Sequence, residues 1–331
     1  MTDSKLLYDK DISYGKENPA QEKEIPVCDK DIPVYEKVPG GYMMPAVRQG
    51  RVRKFNYRMK KYGQRFAYVY TPYGYDGKDM STRYDILYLL HGANSGIETF
   101  LWDESSNSHF KNILDHAIEN REIKPLIVVT PTFYPPGGPA AGQGCEHALC
   151  REFVTELTEN LMLPVESMHL TYADTIDDKG FKESRAHRMF AGFSMGAVAS
   201  WYVFAEKLDY FSTFIPMSGD CWAIEALGGG SHPRETAQWL AEKCRSQGFS
   251  HEDFEIFAAT GTLDSAYQGL TQQIDAMSKI DDVFLRDSNR CGSNRCGSNL
   301  HYIISQGGYH DYMFAYDYIY SVLKYKARRE R

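Results

Sequence analysis

Between Arg51 and Lys326, short apolar runs alternate with longer stretches whose apolar positions recur every three or four residues. RVRKFNYR and QRFAYVYTP, starting at Arg51 and Gln64, predict two strands forming an antiparallel pair at a sheet edge. ILYLLHG, PLIVVTP, HRMFAGFS, FSTFIPMSG, FEIFAATG and LHYIISQGG are apolar runs ending at turn residues, as expected of strands buried on both faces. Helical spacing fills the gaps: HFKNILDHAIENR, HALCREFVTELTENLMLPVE, MGAVASWYVFAEKL, RETAQWLAEKCRSQG, the region around SAYQGLTQQIDAMSKI, and YMFAYDYIYSVLKYK. This alternation predicts an α/β protein with a mostly parallel, doubly wound sheet carrying helices on both faces. Right-handed crossovers then gather the carboxyl ends of the strands along one edge, where ligands bind.

Residues 1–50 do not share the pattern. They are rich in Lys, Asp, Glu and Pro, and DKDI occurs twice, at Asp9–Ile12 and Asp29–Ile32. They read as a charged arm, extended or partly disordered, that wraps the domain formed by residues 51–331. SNRCGSNRCGSN, from Ser288 to Asn299, repeats a polar glycine-containing unit and reads as a surface loop extension.

Composition narrows the partners. Of 331 residues, 43% are hydrophobic, enough for a sizeable core, yet no apolar run is long enough for a membrane helix. The net charge of −7, with both signs interspersed, argues against nucleic acid and suits a neutral or weakly charged ligand. The start MTDSKLLYDKDISYGKE lacks the basic and apolar regions of a secretory signal, so a cytoplasmic location is expected, the alternative being export with the signal removed. Seven cysteines without framework spacing read as reduced thiols. Cys145, His147 and Cys150 fall close together, as do Cys291 and Cys296, but neither group has a second pair to complete a zinc site, and neither metal nor cofactor is expected.

One stretch carries chemistry. In RMFAGFSMGAVAS, Ser194 stands between Gly192 and Gly196, after an apolar strand and before a helix. A sharp strand-to-helix turn crowds the backbone around its central residue, so the flanking positions need glycine. The hydroxyl then projects at the carboxyl edge of the sheet beside free N–H groups of the new helix. A serine hydroxyl needs a base, and the base a carboxylate to orient it, each on a loop after a later strand. FEIFAATG leads to Asp264, and LHYIISQGG leads to His310. His301 and His251 lie at the wrong ends of their strands, and Asp311 reads as the cap of the last helix. The N–H groups of Met195, after the serine, and Ala93, in LLHGANSG, fit an oxyanion hole. Asp220 reads as a turn or cap residue.

Together LLHG, the tryptophan of TFLW, IKPLIVVTP, GFSMG, GTLDS and GGYHDY resemble carbohydrate esterase family one, the feruloyl and acetylxylan esterases, within the esterase D-like α/β-hydrolases. The resemblance covers residues 50 to 331. It implies an α/β-hydrolase fold and hydrolysis, without cofactor, of an ester between a plant-wall sugar and a hydroxycinnamic or acetic acid. It carries over Ser194 as nucleophile, Asp264 as orienting acid, His310 as base, and Ala93 and Met195 as oxyanion donors. It also matches Trp102, and Trp222 in PMSGDCW, to tryptophans near the substrate. The expected partner is a small-molecule or oligosaccharide ester; the sequence does not fix the oligomeric state. The alternatives are an acetylxylan esterase, a thioester or siderophore esterase, and a non-catalytic carbohydrate binder that kept the fold.

Overall fold

The computed structural model describes residues 33–104, 107–139, 146–286 and 297–330. Both DKDI repeats, Cys145, Cys291 and Cys296 lie outside the described residues. Eight strands form one sheet: β1 (Arg51–Met59), β2 (Gly63–Thr71), β3 (Asp85–Leu90), β4 (Leu126–Thr130), β5 (Arg188–Phe193), β6 (Thr213–Met217), β7 (Glu255–Gly261) and β8 (Leu300–Ser305). Their spatial order is β1-β2-β4-β3-β5-β6-β7-β8. β1 pairs antiparallel with β2 and β2 with β4; β3 to β8 run parallel. This is the α/β-hydrolase arrangement, with the antiparallel pair at the edge where its alternating pattern placed it.

The period of two along each strand divides the core into two layers. Ile86, Tyr88 and Leu90 of β3 point to one side, with Ile127 and Val129 of β4 and Phe190 of β5. On that side pack α3 (Glu146–Glu156), α4 (Met162–Ser167), α6 (Met195–Glu206), α8 (Pro233–Ser246) and α9 (Tyr267–Met277). Leu87, Leu89, Val128, Ala191 and Phe193 point to the other side, against α2 (His109–Glu119) and α10 (Tyr312–Arg329). Short helices α1 (Glu98–Leu101), α5 (Asp178–Glu183) and α7 (Gly228–Ser231), which the apolar periodicity did not predict, sit in the connecting loops.

The helix expected over 147–166 is broken. A π-helical stretch, Leu157–Leu161, separates α3 from α4. Pro164 lies in the first turn of α4; its ring has no N–H and crowds the carbonyl four residues back, which the wider π turn accommodates. The described part of the arm, from Pro33 to Gly50, is a strap over α10 and α2. The buried Val38 enters the core, its N–H donates to Asp317 Oδ1 at 2.8 Å, and the Gly50 N–H donates to Asp115 Oδ1 at 2.8 Å.

β5 is anchored at its start by a buried ion pair. Arg188 makes two bonds to Glu166, Nε–Oε1 at 2.8 Å and Nη2–Oε2 at 3.1 Å, and donates to the carbonyls of Phe181 and Tyr210. Tyr88 and Thr171 hydroxyls donate to the same carboxylate. Removing one partner strands the other charge in the core, so Glu166→Ala is expected to cost about 3–5 kcal/mol. Urea unfolding followed by circular dichroism measures this; a loss below about 1 kcal/mol would contradict the anchoring role.

Candidate active site

The carboxyl ends of β3, β5, β6, β7 and β8 bring five loops together. At the end of β5 the backbone of Ser194 turns with φ 57° and ψ −117°, and its N–H donates to the Met217 carbonyl of β6 at 2.8 Å. The glycines on either side are required by contact. A Cβ on Gly192 would stand 2.1 Å from the Gly196 carbonyl oxygen, and one on Gly196 would stand 2.5 Å from the Leu90 carbonyl oxygen. The turn therefore presses β5, α6 and the end of β3 together and drives the Ser194 side chain outward.

His310 Nε2 lies 2.9 Å from Ser194 Oγ, and His310 Nδ1 lies 2.8 Å from Asp264 Oδ1. Asp264 follows β7 and is 6% exposed, so its carboxylate meets the imidazole out of bulk water. Burial pushes its carboxyl up, but the hydrogen bond to His310, the Ser218 hydroxyl beside it and the Ala266 N–H outweigh that and hold it below the usual carboxylate range. The acid and base loops meet at a pair of glycines: a Cβ on Gly261 would stand 2.2 Å from Gly308 backbone atoms. The sequence reading passed over this pair, although each glycine ends its strand run. Asp311 caps α10 through the Met313 N–H at 2.8 Å, as its sequence position suggested. His301 is buried within β8 and His251 precedes β7, both far from this edge of the sheet.

Ala93 and Met195 both line the cavity that holds Ser194 and His310. Met195 is the first residue of α6, where a helix N–H has no partner in its own helix. Neighbouring N–H groups of the loop after β3 are occupied. Gly92 N–H donates to the Tyr312 hydroxyl at 2.8 Å, and Asn94 N–H to the Tyr134 hydroxyl at 3.0 Å. Tyr312 in turn donates to Ser95 Oγ at 2.9 Å. Two residues beyond His310, Tyr312 thus ties the base-bearing chain to this loop, a contact no sequence pattern signals. His91 beneath the loop is fully buried, which pushes its imidazole down to about 4 and keeps it neutral. Its Nδ1–H donates to the Gly92 carbonyl at 2.7 Å, and Nε2 accepts from the Thr132 hydroxyl at 2.7 Å.

The cavity has a volume of about 600 Å³ and extends from Ser194 between the loop after β6 and the start of α9. Trp222 forms part of its wall, with Leu227, Ala266 and Gln272. Trp222 Nε1–H donates to Asp220 Oδ1 at 2.8 Å, and the Gly230 N–H donates to Asp220 Oδ2 at 2.9 Å. Asp220 fixes the tryptophan rather than turning a plain corner; burial raises its carboxyl above the usual range. Trp102 does not reach this cavity. It ends α1 with φ 57°, is 45% exposed, and sets its ring against His109 at 5.6 Å between centroids. Trp102 is therefore not part of the wall of the cavity that holds Ser194, unlike Trp222. Cys150 is a buried packing thiol whose Sγ–H donates to the Met195 carbonyl at 3.2 Å.

A hydroxyl, an imidazole and a buried carboxylate in hydrogen-bonded sequence, beside N–H groups at a helix start, form the arrangement that activates serine for acyl transfer. On an α/β-hydrolase sheet this defines a serine hydrolase class. The model of the family described as "Putative esterase" matches residues 62–283, and the chain belongs to that family: it is a carboxylic ester hydrolase. The chain is 36% identical over 291 residues to endo-1,4-beta-xylanase Y of Acetivibrio thermocellus, covering 88% of this chain but only 24% of that protein's length. A solved mutant of the feruloyl esterase module from Clostridium thermocellum, complexed with sinapinate, is 35% identical, with a TM-score of 0.75 over 89% of this chain and 94% of that one. The ferulic acid esterase AmCE1/Fae1A from Anaeromyces mucronatus shares the fold, with 18% identity and a TM-score of 0.62 over 88% and 97% of the two chains.

Proposed function

We propose that this esterase hydrolyses hydroxycinnamoyl esters, feruloyl esters above all, of plant cell-wall arabinoxylan fragments. The observation that carries the reading is the wall of the cavity beside Ser194. Trp222 and Leu227 offer a flat, apolar surface in about 600 Å³, a space suited to an aromatic acyl group and far larger than an acetyl group needs. The 35% identical feruloyl esterase module, solved with the hydroxycinnamate sinapinate, supports the same substrate class.

In this reading Ser194 Oγ attacks the ester carbonyl as His310 Nε2 takes its proton. Asp264 holds the imidazole with Nδ1–H toward its carboxylate, so that Nε2 is free to accept. Negative charge on the carbonyl oxygen settles between the N–H groups of Ala93 and Met195, each contributing about 3 kcal/mol of transition-state stabilisation. The sugar hydroxyl departs with the proton from His310, leaving a feruloyl ester on Ser194. Water, deprotonated by the same imidazole, attacks the acyl-enzyme and releases ferulate.

The test is a comparison of kcat/KM on methyl ferulate, acetylated xylan and a short-acyl nitrophenyl ester. Preference for methyl ferulate over the short-acyl ester by at least about a hundredfold is expected, the scale of discrimination that binding an additional apolar group provides. Faster release of acetate from xylan than of ferulate from its methyl ester would assign the site to acetyl groups instead.

A further inference from the structure

A second cavity, of about 420 Å³, opens on the other side of the loop that carries Ala93. Ala93 lines the first cavity and Asn94 the second, so the two are separated by one residue of backbone. The register of the sheet explains the space. Tyr68 of β2 pairs with Thr130, the last residue of β4, so Gln64 and Phe66 run past the carboxyl end of β4, alongside the loop that follows it. Between that overhang and the Ala93 loop a groove is left. Its walls include Gln64, Phe66, Asn94, Ser95, Glu98 and Pro136.

We propose that this groove binds the sugar side of the ester, a neutral pentose oligosaccharide; the proposal rests on the arabinoxylan reading above. Three observations carry it. First, the groove adjoins the loop that carries the oxyanion donor Ala93. Ser95 in its wall is bonded to Tyr312, two residues on from the imidazole that protonates the departing oxygen. With the acyl group in the first cavity, the second is the adjoining space on the far side of the oxyanion loop. Second, its chemistry is that of sugar recognition. A pyranose or furanose offers pairs of hydroxyls that both donate and accept, and apolar C–H faces. Asn94 meets these with a side-chain amide that makes no hydrogen bond among the described residues. Gln64 donates to Asn56 at 3.3 Å and keeps its carbonyl oxygen free among the described residues. Glu98 adds a carboxylate acceptor, and the Phe66 ring, with the Lys54 amine 4.1 Å over its centroid, supplies an apolar surface. Third, the frame is rigid. Arg65, 4% exposed and paired with Glu156 at 2.8 Å, donates to the carbonyls of Thr132 and Tyr134 and so pins the loop after β4. The Tyr134 hydroxyl in turn accepts from Asn94 N–H, fixing the opposite wall. The groove is preformed, so a sugar entering it meets little ordering cost.

The test compares methyl ferulate with a feruloylated arabinoxylo-oligosaccharide in the full chain, before and after changes to the groove. Wild type is expected to show a kcat/KM at least about tenfold higher on the oligosaccharide ester, the scale of one good added contact. Gln64→Trp, which fills the groove from an exposed position on β2, and Phe66→Ala are each expected to lower the ratio of the two specificity constants about tenfold. A ratio that stays at the wild-type value in both variants, or a wild type that does not distinguish the two esters, overturns the groove assignment while leaving the feruloyl reading standing. Failure of wild type to turn over methyl ferulate as well overturns the feruloyl reading and the groove with it.

Discussion

Ser194→Ala is expected to lower kcat on methyl ferulate by roughly a millionfold, the loss seen when the nucleophile of a serine hydrolase is removed. What remains is the modest acceleration from the oxyanion donors and from binding. The change should leave the fold untouched. The strain at this position lies in the backbone, with φ at 57°, and alanine keeps the same Cβ and the same constraint as serine. Among the described residues the hydroxyl's one partner is His310 Nε2 at 2.9 Å, which can turn to water in the variant. Kinetics on methyl ferulate and urea unfolding of the same preparation together give the answer. Turnover within about tenfold of wild type would remove Ser194 from the mechanism.

Asp264→Asn is expected to lower kcat about ten-thousandfold with little change in KM. The argument is one of tautomer rather than charge alone. Asp264 Oδ1 accepts from the Ala266 N–H at 2.8 Å and from His310 Nδ1 at 2.8 Å. Both donors meet the same oxygen, so either rotamer of the new amide removes the negative charge that stabilises the imidazolium, and the rotamer with NH₂ in that position also gives up the Ala266 N–H bond and forces Nδ1 to accept. The proton then moves to Nε2, which can no longer take one from Ser194. An effect on KM alone, or a fall in kcat below about tenfold, would show that the carboxylate does not orient the base. Crystal or NMR observation of the His310 ring in the variant separates the tautomer effect from misplacement of the side chain.

Much of the fold was legible because it rests on local signals. Continuous runs such as LIVVT specify strands buried on both sides, and each layer of the core follows from the alternation along them. The turn at Ser194 was legible because only glycine fits at positions 192 and 196, where a Cβ would collide with backbone. Asp264 and His310 could be placed because both follow the ends of apolar strand runs. What escaped the reading depends on distant parts of the chain. The π turn before Pro164 is a response to one ring inside an otherwise regular helical pattern. The motif places Trp102 near the oxyanion loop, but where its ring stands depends on a left-handed backbone at the end of α1. Tyr312 and Asp220 act through partners 220 and 10 residues away, Gly92 and Gly230, so no spacing rule points to them. The same holds for the strap at residues 33–50, which has no helix or strand period to show that Val38 enters the core.

The central claim is that Ser194 forms a covalent acyl intermediate with His310 as its base. Treatment of the protein with a fluorophosphonate, followed by peptide mapping, tests it most directly, because the reagent captures a serine that an adjacent imidazole has activated. The account predicts one equivalent of label on the peptide containing Ser194, and loss of labelling in His310→Ala. Label on another serine, or none on the folded wild-type protein, would contradict it.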